Sequence, residues 1–277
     1  MSQTSASVAA RALADVPLPG GVATGAAAVS VWCGPVGGPA RYTRDADRPH
    51  YAASVVKVAI LLALDAAGAV ADEHVEITDV FTGWDGSPVR AERHEDDDDE
   101  PWQWLGGRVS LRWLAERMIV SSSNLGSNLL VERLGLDAVR AQCPPGVRVD
   151  RQIGDAAARE AGVTNSVTAS AAAALLGSCA ERAAAGHGWP LEVLGRQQHR
   201  EGIWAGLPAG AGVASKGGWI TGVRHDCALI IPADAPPYVL AVCTTGLPDD
   251  RALPLIRAYA AASWRVRDHL PAPILES

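Results

Sequence analysis

Lysine is nearly absent from this 277-residue chain: of 24 basic residues only Lys57 and Lys216 are lysines, and the other 22 are arginines. A guanidinium stays protonated inside proteins, whereas burial or a like-charged neighbour can strip the proton from an ammonium. The two lysines are therefore candidates for positions where arginine fails, the plain alternative being chance survival under a codon bias. Other absences exclude classes of partner. Lys and Arg gather into no basic stripe, and net charge is −7 with a pI near 5.5, so no nucleic-acid partner is expected. The cysteines, Cys33, Cys143, Cys179, Cys227 and Cys243, form no CxxC pair and no Cys/His cluster at ligand spacing; they read as buried thiols. No apolar run approaches the ~18 residues of a membrane span. Met1 to Val16 lacks a basic flank ahead of an apolar core. The expectation is a cytoplasmic protein with no membrane partner and a small-molecule substrate.

What is present is an ordinary globular balance, 48% hydrophobic and 20% charged, on a chain long enough to bury a sizeable core. Apolar spacing predicts an opening helix over Ser5 to Val16, then a strand over Gly25 to Trp32 with a hairpin partner at Ala40 to Arg44. A strongly apolar helix follows from Ser54 to Ala69. Further helices are predicted over Val109 to Ser122, Asn124 to Leu134 and Thr168 to Ala185. After Gly206 the texture changes to strands at Gly212 to Lys216, Asp226 to Pro232 and Tyr238 to Thr244, and Leu253 to Trp264 closes the chain as a helix. Strands at both ends and helices between them predict an α+β molecule. Residues 1–50 and 206–277 form an antiparallel sheet lobe flanked by terminal helices, residues 51–205 form an inserted helical lobe, and the chemistry lies at the seam. The run His94 to Glu100 (HEDDDDE) repels itself and reads as a solvated surface loop.

A serine at a helix start has its hydroxyl near unpaired backbone N–H groups, which favour developing negative charge, and Ser54 fits that position. Lys57, three residues on, lies on the same face, where an apolar helix can desolvate it enough to make it a base. Alone, S-x-x-K is a weak signal. SVVK at Ser54–Lys57, SSN at Ser122–Asn124 and KGG at Lys216–Gly218 together resemble, in order and rough separation, the S-x-x-K, S-D-N and K-T-G elements of serine β-lactamases and penicillin-binding proteins. Both lysines fall within these elements, and the resemblance runs from about Gly25 to Trp264. It implies that family's two-lobed fold with a five-stranded antiparallel sheet. It also implies an acyl-transfer mechanism: Ser54 as nucleophile, Lys57 as proton acceptor, Ser122 as proton relay, Lys216 as a cation beside them and Asn124 as a substrate and Lys57 contact. The backbone N–H groups of Ser54 and Trp219 are the implied oxyanion donors, with Gly217 and Gly218 lining the substrate's path, and the implied chemistry needs no metal and no organic cofactor.

Three departures from the family pattern limit the reading. Ser123 replaces the usual Asp, a structural position. Gly217 replaces a hydroxyl residue that helps hold a substrate carboxylate, which suggests an altered or larger pocket with Trp219 as a wall. The stretch before Thr168 does not reproduce the Glu-containing signature that activates the deacylating water; Asp155 is the best-placed carboxylate and Glu160 the second, each equally readable as an ion-pair partner of Arg151 or Arg159. His225 beside Asp226 reads as a surface or structural histidine rather than a triad member. Most tryptophans read as core, with Trp219, Trp102 and Trp104 the candidates for the cleft. The functional expectation is a serine hydrolase acting on an amide, β-lactam or ester. Its alternatives are an esterase or transacylase of a biosynthetic pathway, or a silent binding protein on the same fold.

Overall fold

A computed structural model describes residues 5–270 of the chain. Its centre is a five-stranded antiparallel sheet built from both ends of the sequence: β1 (Ala28–Pro35), β2 (Tyr42–Arg44), β3 (Gly212–Ile220), β4 (Val223–Ile231) and β5 (Tyr238–Thr245), in the order β3-β4-β5-β1-β2. From Cys227 to Ile231 in β4 and from Tyr238 to Cys243 in β5 the strands are continuous apolar runs because both faces of the sheet are covered there. Their alternate residues feed two clusters. Ala228, Ile230, Leu240 and Val242 pack with the terminal helices α1 (Ser5–Ala14) and α7 (Asp249–Arg265). Cys227, Leu229, Val239 and Ala241 face the cluster that contains the middle helices.

Among those helices, α2 (Lys57–Ala66) is apolar all round and buried from Lys57 to Leu64, as a helix surrounded by others must be. Around it lie α3 (Leu111–Val120), α4 (Asn124–Leu134), α5 (Ala169–Ala184) and α6 (Trp189–Gly195). Thr168 caps α5, its hydroxyl accepting from the Ala171 amide at 3.1 Å.

Several sequence expectations need correction here. Ser54 is not on an α-helix: Ala53–Val56 is one tight 3₁₀ turn, and the α-helix starts at Lys57. The strand carrying Lys216 runs on to Ile220, so Lys216 lies within it rather than at its end. Cys143 is only half-buried, although the other four cysteines are buried thiols. Of the tryptophans only Trp102 is buried outright; Trp84 and Trp104 are exposed and the rest half-buried. The acidic run is anchored rather than loose. Arg117 of α3 clasps buried Asp98 with two hydrogen bonds, 2.6 and 2.7 Å, and pairs with Glu100 at 2.8 Å.

Candidate active site

The turn that presents Ser54 begins with Ala53 at φ +45°, a conformation in which an L-residue is strained and which persists only where surroundings impose it. What imposes it is the close approach of β3. A Cβ on Gly218 would lie 2.8 Å from the Ser54 amide nitrogen and 3.1 Å from the Ala53 Cβ, so only glycine lets the strand run this near the turn. β3 is an edge strand, and its outward backbone groups face the turn instead of another strand.

The second element is the break between α3 and α4. Ser122 takes φ +64°, again left-handed for a non-glycine residue. Ser123 caps α4, its hydroxyl accepting from the Gly126 amide at 3.0 Å. The Lys57 amine donates to the Ser122 carbonyl at 2.6 Å, to the Asn124 side-chain oxygen at 2.8 Å and to the Ser122 hydroxyl at 3.2 Å. Lys216 donates to that same hydroxyl at 3.1 Å and to the Gly217 carbonyl at 2.8 Å. Ser122 Oγ thus bridges the chain's two lysines, and all three residues are shut off from solvent. Among the described residues the Ser54 hydroxyl has no hydrogen bond, and Lys57 is turned toward Ser122.

Burial lowers Lys57 to about 7, against the opposing pull of Asp96, Asp97 and Asp98. Lys216 is pushed well below the usual ammonium range, first by burial and then by Lys57. Two amines that burial disposes toward their neutral forms, Lys57 the one brought to about 7, thus meet on one hydroxyl.

Asp96, which the sequence offered only as one member of an acidic run, holds this element in place. Its carboxylate accepts from the backbone N–H groups of Asn124 and Leu125, both at 2.8 Å, and from the Trp102 indole at 3.0 Å. Asn124 also donates to the Glu95 carbonyl at 2.7 Å. No local pattern announces a cap donated from 28 residues upstream. Trp102 is thereby committed to structure, Trp104 is exposed at 51%, and neither lines the cleft.

Ser54 opens on a cavity of about 520 Å³, of small-molecule size, whose walls include Asn124, Glu95, Asp97, Ile153, Asp155 and Trp219. The loop 151–155 is fixed by two asparagines. Asn165 accepts from the Arg151 amide at 3.1 Å and donates to its carbonyl at 3.0 Å. Asn128 accepts from the Ile153 amide at 2.9 Å and donates to its carbonyl at 2.8 Å. Asn128 lies one helical turn beyond Asn124, the one sequence signal that could have pointed to it.

Asp155 reaches the wall, but its carboxylate is engaged: one oxygen caps the helix Ala156–Glu160 through the Ala158 amide, and the other accepts from the Trp84 amide, both at 2.9 Å. Glu160 is exposed and off the lining. Neither forms an ion pair with Arg151 or Arg159 among the described residues. His225 is fully buried rather than superficial, held between the Tyr51 carbonyl (2.8 Å) and the Thr244 amide (3.1 Å). The space beside Gly217 is not enlarged: a Cβ there would meet the Trp219 ring at 3.6 Å. Among the described residues no cluster of three or more His, Cys, Asp or Glu side chains is arranged to hold a metal, and no helix is long and apolar enough to cross a membrane.

The sequence profile of the β-lactamase enzyme family matches residues 10–269. Similar solved structures include a β-lactamase from Sphaerobacter thermophilus DSM 20745, 25% identical, with 96% of this chain and 99% of that one covered at a TM-score of 0.72. A class A β-lactamase from Mycobacterium abscessus is 22% identical, with coverage of 93% and 98% and a TM-score of 0.70. A mutant of PBP-A, solved as an acyl-enzyme complex with penicillin G, is 19% identical, with coverage of 94% and 95% and a TM-score of 0.72. No curated protein matches the chain.

Proposed function

Because the chain belongs to the β-lactamase enzyme family and is a serine hydrolase of that type, we propose that it works through an acyl-Ser54 intermediate that forms readily and hydrolyses slowly. Ser54 Oγ attacks the carbonyl carbon of an amide, β-lactam or ester. Its proton goes to neutral Lys57, and the backbone N–H groups of Ser54 and Trp219 receive the oxyanion. As the tetrahedral adduct collapses, Ser122 gives its proton to the departing nitrogen or oxygen and is reprotonated from Lys57. Lys216 offsets negative charge on Ser122 Oγ, to which it donates at 3.1 Å. Water then cleaves the ester and returns Ser54.

The observation that carries the slow second half is the wall formed by loop 151–155. It presents Ile153, and the Asp155 carboxylate is already committed to two backbone amides. A water against that wall is offered no free carboxylate by the loop as general base, help that is typically worth ~10²–10⁴-fold. With 4-nitrophenyl acetate the expected trace is a burst of about one equivalent of nitrophenol followed by a slow steady state, with an acetyl adduct on Ser54 by intact mass. Ser54→Ala removes burst and adduct together. Rapid linear turnover with no burst would overturn the slow-deacylation reading, and an adduct that persists in Ser54→Ala would overturn the nucleophile.

A further inference from the structure

The indole of Trp219 divides the cleft. On one side is the large cavity onto which Ser54 opens; on the other is a compartment of about 10 Å³ lined by His199, Gly217, Arg224 and Asp226. That is room for at most one water. The ring is fixed there by three neighbours: His199 at 4.6 Å between centroids, the Arg224 guanidinium at 4.9 Å and the Lys216 amine at 5.6 Å. It lies against Gly217, where a side chain would begin to fill the same space. Lys216 and Ser122 have no solvent exposure.

The charges around the compartment do not suit an anion. Arg224 is paired with Asp249 at 3.3 Å and Glu201 at 3.6 Å. Asp226, 5% exposed, spends one carboxylate oxygen on the Ile203 amide at 2.6 Å and leaves the other without a partner, 3.9 Å from the Gly217 Cβ position. A substrate carboxylate brought toward Lys216 by this route would have to displace the indole and then sit beside that oxygen, an approach of like charges in a desolvated place.

We propose that Trp219 is a specificity-determining residue that closes the Lys216 end of the cleft and makes Ser54 selective for acyl donors uncharged on the leaving-group side. The proposal rests on Ser54 being the nucleophile, and a fluorophosphonate probe, which needs no carboxylate, tests that premise separately. The decisive comparison is the rate of Ser54 acylation, followed by intact mass, by benzylpenicillin and by its methyl ester, each divided by its rate of alkaline hydrolysis. In the wild type the ester is expected to react at least about tenfold faster than the acid. In Trp219→Ala, which removes the ring in front of Lys216 but leaves Asp226 and the paired Arg224 in place, that ratio is expected to fall by about tenfold, read within the one variant. A wild type that prefers the free acid overturns the proposal without any variant, and so does an ester-to-acid ratio unchanged by Trp219→Ala. Failure of the fluorophosphonate to label Ser54 in the wild type overturns the nucleophile and the proposal with it.

Discussion

Lys57 has three acceptors within hydrogen-bonding distance and no solvent, so its protonation is set by the balance between burial and the acidic residues 96–98. The amine is a base only when neutral, and with burial holding it at about 7 the acylation rate should climb as pH rises through that value. Asp97 is exposed, lines the cleft and favours the ammonium. Asp97→Asn therefore lowers the Lys57 pKa further, and the acid limb of the pH–rate profile moves to lower pH. Asp99→Asn, which only loses a partner of Arg93 on the surface, leaves that limb in place. An unmoved limb in Asp97→Asn would mean that another group controls it. On the opposite wall, Ile153→Glu puts a carboxylate into the cavity on a backbone that Asn128 already holds at both amide and carbonyl. Its steady-state rate after the burst should rise by ~10²-fold with the burst amplitude of Ser54 acylation retained. A steady state no faster than the wild type's would show that deacylation is limited by something other than a missing base.

At the scale of elements, the start of α4 depends on a carboxylate borrowed from the acidic run. Asp96→Ala leaves the Asn124 and Leu125 amides and the Trp102 indole without their acceptor, the equivalent of losing a helix cap at about 1–2 kcal/mol. Because Asn124 holds Lys57, the same substitution should slow acylation, and a melting curve with a labelling time course measures both effects. A run that was only a solvated loop would show neither. Its sequence gives no hint of this role, because like charges in a row look self-repelling until Arg117 and the helix start are brought against them from distant parts of the chain. The helices and strands themselves are legible: Asn124–Leu134 appears over the residues its periodicity predicts, and the sheet strands differ from expectation only at their ends. The left-handed turns at Ala53 and Ser122 are not legible, because neither is glycine and both conformations are imposed by contacts with β3 and with Lys57.

For the whole molecule, what brings three short motifs together is a sheet made from the chain's two ends, tied to the Ser54 turn by buried histidines. The Thr244 amide can only donate, so His225 Nδ1 accepts and Nε2 carries the proton given to the Tyr51 carbonyl, three residues before Ser54. His50 packs against it edge-on at 5.5 Å between ring centroids, with its nitrogens on Ser30 and Thr245. Burial holds both imidazoles at about 4, below the ordinary 6.5. Between those values the unfolded chain binds more protons than the folded one, so stability is lost as pH falls from 6.5 toward 4. For His225 the loss at pH 5 is about 2 kcal/mol, and His50 adds to it in the same direction. Asp226 opposes them: burial raises it to about 6, and its protonation in the fold returns about 1 kcal/mol at pH 5. The imidazoles win, and denaturant unfolding should show a less stable protein at pH 5 than at pH 7.5. His225→Gln keeps a donor and an acceptor in the same place but cannot titrate, so its loss over that interval should be about 2 kcal/mol smaller. An equal loss in the variant would mean that His225 takes up its proton in the folded state, at the expense of the contact that fixes the Ser54 turn to the sheet.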